Sequence, residues 1–350
     1  MRCQRNVERD LTDHGIHSDL QAVLKRLNED QLRSKNVAVT GGAGFIGSWL
    51  CDAFVLADAS VRCFDNLCTG LLTNVEHLVT AGNFAFREID ITEDDLGEER
   101  TDLVLHFASR ASPEEYQQHP IETLTANSQG THNMLELARK SDATLVYAST
   151  SEVYGDAQVI PTPETYWGNV NPVGPRSCYD EGKRFGEALC MAYHRSHGLD
   201  VRVLRLFNTY GPRLRSDGFY GRALSRFIDQ ALSGKDITVY GRGEQTRSFC
   251  YVTDTVAAIL KATMQNEIKG QVVNIGNPHE VSILELAEKV KATTGSSSKI
   301  TFHPRPPDDP QRRRPDVSKA KRVLGWSPTV TLEEGLRNTI EWFRQRRAGR

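Results

Sequence analysis

No apolar run in the chain approaches the roughly 20 residues needed to span a bilayer, so a membrane protein is not expected. An excess of one charge sign is also missing. Lys and Arg number 43 against 45 Asp and Glu, a formal net charge of -2, which argues against nucleic acid or an anionic membrane surface as partner. The opening residues, MRCQRNVERDLTDHG, are charged and lack an apolar signal core, so secretion is not expected. Cysteine occurs at 3, 51, 63, 68, 178, 190 and 250. That odd count, without paired ligand spacing, argues against a disulfide framework and a structural zinc site, and no other metal is expected. Several of these cysteines sit in hydrophobic runs and read as small buried side chains. A reducing cytoplasm fits all of these absences. Internal repeats are missing as well.

What is present is a regular alternation. Residues 1–35 read as a polar leader holding one amphipathic helix, with Leu20, Val23, Leu24, Leu27 and Leu32 at roughly helical spacing. It would lie against the main body or a partner subunit. NVAVT is then a strand, FIGSWLCDAFVLA a helix, and SVRCFDN, NFAFREIDI and DLVLHFAS three further strands. NSQGTHNMLELARKS has helical spacing, and TLVYAS and VRVLRLFN complete six strands. This pattern predicts an α/β fold, a Rossmann-like and mainly parallel sheet with helices on both faces over 36–210. After about 210 the alternation loosens into Gly-, Pro- and Arg-rich stretches, with helices expected at 219–233, 252–263 and 282–292. Residues 211–345 therefore read as a smaller substrate-binding lobe with interleaved segments. The biased tract RPPDDPQRRRPD reads either as a disordered loop or as an ordered anion site.

TGGAGFIG places Gly41, Gly44 and Gly47 between a strand and a helix. Residues without Cβ let the backbone approach a pyrophosphate, and the helix N-terminus faces its charge. Asp65 ends the second strand, where a carboxylate accepts from a ribose diol and repels a 2'-phosphate. NAD is therefore expected rather than NADP. Asp90 and Ile91 follow the third strand and either reach the adenine side or, for Asp90, cap a turn.

Tyr179 and Lys183 lie four apart in CYDEGKRFGEALCMAYHR and share a helix face. An ammonium near a phenol favours the phenolate. Such a tyrosine can take a proton from a sugar hydroxyl and later return it. YASTSEVYGD raises a further question, because Thr150, Ser151 and Glu152 follow directly on a buried run, where a carboxylate is costly unless compensated.

Residues 36–333 resemble the extended short-chain dehydrogenase/reductase family of nucleotide-sugar enzymes, most of all its UDP-glucuronate decarboxylases (UDP-xylose synthases). The likeness rests on HFAS (106–109), STSEVYGD (149–156), YWGNVNPVGPRSCYDEGKR (166–184), RLFNTYGPR (205–213), VYGRGEQTRSFCYV (239–252) and DDPQRRRPD (308–316). The resemblance implies a tightly held NAD regenerated in each cycle. It also implies a homodimer formed through helices around 127–140 and 179–197. Its catalytic positions are Thr150, Ser151, Glu152, Tyr179, Lys183 and Arg247. Its cofactor set adds Phe45, Ile46, Asn66 and Ala108 to the glycines, Asp65, Asp90, Ile91, Tyr179 and Lys183. Its substrate set is Ser109, Arg110, Tyr116, Asn208, Arg213, Tyr240, Arg247 and Arg313, with Asn208, Arg213 and Arg313 near the diphosphate. The chain departs from the family at Arg110, where a proline is expected, and at Glu115, both on a loop expected near the sugar.

A 4-epimerase needs only the Ser/Thr and Tyr hydroxyls. A 4,6-dehydratase of this family carries an Asp-Glu pair where this chain has Ser151-Glu152. A decarboxylase needs no acid to expel water, because a ketone at C4 lets carbon dioxide leave into an enolate whose oxyanion Tyr179 and Thr150 or Ser151 can hold. Glu152 would orient the ring or route a proton. Arg247 would pair with the carboxylate or position a water. The expected reaction is thus UDP-glucuronate decarboxylation to UDP-xylose. The alternatives are a 4-epimerase or 4,6-dehydratase acting on another UDP-sugar or other nucleotide sugar, and an idle NAD-binding scaffold.

Overall fold

Strands β1 (Asn36–Thr40), β2 (Ser60–Asp65), β3 (Phe84–Glu88), β4 (Leu103–His106), β5 (Thr144–Thr150) and β6 (Val201–Leu206) follow one another along the chain. Successive strand side chains point to opposite faces. Val37, Val39, Leu105, Val146 and Leu204 pack into one hydrophobic cluster, while Ala38, Val104, Leu145, Tyr147 and Val203 pack into another. Both faces are covered, which is why these strands read as unbroken apolar runs. The structure is a computed structural model and describes residues 15–93, 96–97, 99–216, 222–305 and 309–348. The expected leader before residue 15, the first three residues of the helix expected at 219–233, and part of the RPPDDPQRRRPD tract lie outside the described residues.

Short strands β7 (Thr209–Tyr210), β8 (Ile237–Tyr240), β9 (Thr246–Ser248) and β10 (Cys250–Tyr251) come next, and then β11 (Gln271–Ile275) returns to the main sheet. The sheet order is β11-β6-β5-β4-β1-β2-β3, every neighbour parallel. This is the doubly wound order with one strand added at the β6 edge, and its ligand crevice lies beyond the strand C-termini.

Helices α1 (Ile16–Lys25), α2 (Phe45–Leu56), α3 (Pro113–Gln118), α4 (Pro120–Thr125), α5 (Thr131–Ser141), α6 (Ser177–His197), α7 (Ala223–Leu232), α8 (Val252–Met264), α9 (Ile283–Thr294), α10 (Ser318–Leu324) and α11 (Leu332–Ala348) complete the layers. The expected amphipathic helix is α1, which packs Ile16, Leu20, Val23 and Leu24 onto α2 and α8 of its own chain. Residues from α2 and α8 contribute to one core cluster, and residues from α5 and α6 to the other. The helix expected from 127 begins at 131, after a π-turn at Ala126–Gly130. There Gly130 lets Ile91 approach, since a Cβ would stand 2.8 Å from the Ile91 side chain.

The remaining strands are β12 (Glu280–Ser282), β13 (Ile300–His303) and β14 (Arg312–Arg313). β9 is the middle strand of a three-stranded sheet, antiparallel to β12 and parallel to β14, and the register sets Arg313 beside Arg247. Cys51, Cys63, Cys178, Cys190 and Cys250 are buried and Cys68 is exposed, and none of these six forms a disulfide among the described residues. Among the described residues no helix is long and apolar enough to cross a membrane.

Candidate active site

Two adjoining cavities lie beyond the sheet's C-terminal edge. The first, of about 530 Å³, is lined by Gly41, Gly44, Phe45, Ile46, Gly47, Asp65, Asn66, Asp90, Ile91, Ala108 and Lys183. The second, of about 380 Å³, is lined by Tyr116, Ser151, Glu152, Tyr240, Arg247 and Arg313. Thr150, Tyr179 and Asn208 border both.

The glycine turn leaves no room for side chains. Gly41 has φ +68°, and a Cβ there would stand 2.7 Å from the Ala108 nitrogen, while one on Gly47 would overlap the Gly41 carbonyl oxygen. Asp65 ends β2 and fastens this turn, accepting from Ala43 N at 3.0 Å and from Leu67 N at 2.8 Å. Burial pushes its carboxyl up, against those two hydrogen bonds. Asn66 donates to Asp90 Oδ2 at 2.7 Å, and Asp90 Oδ1 accepts from Thr92 N at 2.9 Å. Asp90 therefore caps a turn and lines the cavity at once. A tight cradle before a helix N-terminus, with a carboxylate ending the next strand, fits a dinucleotide.

At the junction Tyr179 is buried and stacks on Tyr116, with centroids 5.0 Å apart and planes at 3°. Burial pushes its phenol up to about 12, against Arg222 and a hydrogen bond with Thr150. This corrects the expectation of a depressed phenol in the protein alone. The Lys183 ammonium donates instead to the Ala148 carbonyl at 2.9 Å and lies 4.9 Å from the Tyr147 ring centroid. Burial pulls Lys183 down to about 7.

The structure also explains the polar triplet after β5. Thr150 Oγ1 accepts from Glu152 N at 3.2 Å, capping a single 3-10 turn over Ser151–Tyr154. That turn aims Glu152 between two guanidiniums. Arg313 donates to both its oxygens at 2.5 and 2.7 Å, and Arg176 donates to Oε2 at 2.5 Å. Burial would raise this carboxyl, but Arg313 and then Arg176 outweigh it and hold it at about 2. Arg247 donates to Asp309 at 2.8 Å and to the Thr246 carbonyl at 2.8 Å. Burial, reinforced by Arg313, brings it down to about 10. The Tyr116 hydroxyl and the Asn208 amide nitrogen are buried without a hydrogen-bond partner among the described residues.

Three expected substrate residues lie elsewhere. Arg213 is not among the lining residues of either cavity. It is buried, and its Nη1 donates to Asp52 of α2 at 2.6 Å. Ser109 and Arg110 border the first cavity rather than the second, and Arg110 pairs with buried Glu115 of α3. Sequence reasoning missed Arg176, Arg222 and Asp309, all bordering the second cavity. Arg176 carried a signal, standing one helical step before Tyr179 in PRSCYDEGKR.

The fold and the paired cavities define an extended short-chain dehydrogenase/reductase. The family model described as GDP-mannose 4,6 dehydratase matches residues 38–339. UDP-glucuronic acid decarboxylase 1 of Xenopus tropicalis is 50% identical over 311 residues, covering 89% of this chain and 72% of its own. UDP-glucuronic acid decarboxylase 3 of Arabidopsis thaliana is 47% identical over 311 residues, 89% of either chain. Among solved structures, UDP-glucuronic acid 4-epimerase of Bacillus cereus, in complex with UDP-glucuronic acid and NAD, superposes with a TM-score of 0.80 at 31% identity, over 89% of this chain and 99% of its own. UDP-glucose 4-epimerase of Thermotoga maritima gives 0.82 at 33% identity over the same shares. The chain belongs to the GDP-mannose 4,6-dehydratase family and, within it, to the UDP-glucuronic acid decarboxylases.

Proposed function

We propose that the protein decarboxylates UDP-glucuronate to UDP-xylose, with NAD held in the first cavity and the UDP-sugar in the second. NAD supplies the chemistry of taking a hydride from C4 and giving it back. The observation that carries the reading is the Glu152 clamp. Two arginines hold Glu152 as a carboxylate, and Ser151 stands where the dehydratase pair has its acid, so this turn offers no general acid to expel water. Tyr179 and Thr150, between the cavities, would hold O4 and move its proton. Arg247 and Arg313 would face the anionic groups of the substrate, and Glu152 would fix the ring and route the proton to C5.

We also propose the division of labour between 36–210 for NAD and 211–345 for the nucleotide sugar, a cytoplasmic setting without nucleic-acid partners, and a homodimer. The dimer would form through helices around 127–140 and 179–197, and exposed Phe185 on α6 supports an interface there. Incubation with UDP-glucuronate followed by product mass and NMR tests the activity. UDP-xylose is expected, and a product that keeps its carboxylate with C4 inverted would make the protein an epimerase.

A further inference from the structure

Arg176 stands between two carboxylates. Its Nη2 lies 2.5 Å from Glu152 Oε2, and its Nε lies 3.9 Å from Asp180 Oδ2. Arg176 directly precedes α6, and its carbonyl accepts from both Tyr179 N and Asp180 N of the helix's first turn. Asp180 is buried, and its Oδ1 has no hydrogen-bond partner among the described residues. Asp180 is not among the residues lining either cavity, so any effect on substrate must pass through another group. One of its oxygens has no partner among the described residues, and the other lies 3.9 Å from the Arg176 guanidinium, which Glu152 already holds. A carboxyl so placed is poorly supported as an anion.

We propose that Asp180 is a positioning residue for the decarboxylation: protonated, it leaves Arg176 committed to Glu152, and ionised, it draws Arg176 away and loosens Glu152. The proposal rests on the role given to Glu152 above. The groups facing Asp180 are Arg176 directly before its helix, Cys178, Tyr179 and Glu181 on it, Glu152 beyond β5, Tyr116 of α3 and Arg313 of β14. Burial and then Glu152 push its carboxyl up to about 7, against Arg176 and Arg313. The sign follows from that direction. Asp180 is neutral below this value and charged above it, so Glu152 keeps both arginines at the acid side of neutrality and is left with Arg313 alone as pH rises.

The test is the pH profile of kcat for UDP-glucuronate decarboxylation by the wild type and by Asp180→Asn. The wild type should lose about 10-fold in kcat on the alkaline side of neutrality, a loss the asparagine variant should not show, with KM changed less than about threefold in either. The same alkaline loss in both proteins overturns the proposal. Should the asparagine variant not fold, Arg176→Lys provides the second arm. It keeps the charge but has no fork to span two carboxylates, so kcat should fall about 10-fold with KM nearly unchanged and the alkaline loss should disappear. An unchanged kcat, or a retained alkaline loss, overturns the proposal. A wild type that consumes no UDP-glucuronate at any pH would instead remove the decarboxylase reading itself, and this proposal with it.

Discussion

Glu152 makes three hydrogen bonds to two arginines. Replacing it with Gln keeps its size and removes the charge. We expect overall decarboxylation by Glu152→Gln to fall by about 10²–10⁴-fold, with much less change in substrate affinity. Stopped-flow absorbance of the reduced nicotinamide separates the steps. Normal C4 oxidation followed by a stall assigns Glu152 to the later chemistry, no reduced cofactor assigns it to ring positioning, and full turnover would show it to be structural. Tyr179→Phe keeps the stack on Tyr116, so the variant should fold normally. Its C4 oxidation rate should fall by at least about 100-fold, and turnover near wild type would make Tyr179 a packing residue.

At the scale of elements, β2 and the glycine turn act together, since Asp65 holds Ala43 N–H as well as lining the first cavity. Asp65→Ala should therefore weaken NAD binding, reduce discrimination against NADP, and lower thermal stability. The two lost backbone hydrogen bonds are each worth about 0.5–1.5 kcal/mol. Calorimetry with and without NAD checks this, and unchanged NAD affinity would mean that the turn is not the cofactor loop. The six first strands, α2, α5 and α6 were legible because buried parallel strands and two-faced helices impose long apolar runs. β11 was not, since five residues between Gly270 and Gly276, returning after a long excursion, leave no periodic signal. The two-residue strand β14 was equally hidden, yet its pairing with β9 sets Arg313 beside Arg247. The glycine turn and the cavity it lines were readable because these residues are contiguous or follow strand ends. The arginine clamp on Glu152 was not, because Arg176 and Arg313 meet it only through space. Arg213 misled for the same reason, as nothing in RLFNTYGPR reveals its partner Asp52.

At the scale of the whole molecule, the two cavities meet at Thr150, Tyr179 and Asn208, so the cofactor and the sugar would be held by one continuous crevice. A hydride removed at C4 and returned there leaves the cofactor unchanged after each turnover. The purified protein should therefore retain NAD and run without added cofactor. The measurement that bears most directly on this account is turnover of UDP-glucuronate isotopically labelled in its carboxyl group, with no NAD supplied. We expect labelled carbon dioxide and unlabelled UDP-xylose in equal amounts, over many turnovers per protein molecule. Reduced cofactor accumulating in step with an oxidised sugar, or label remaining in the nucleotide sugar, would contradict it.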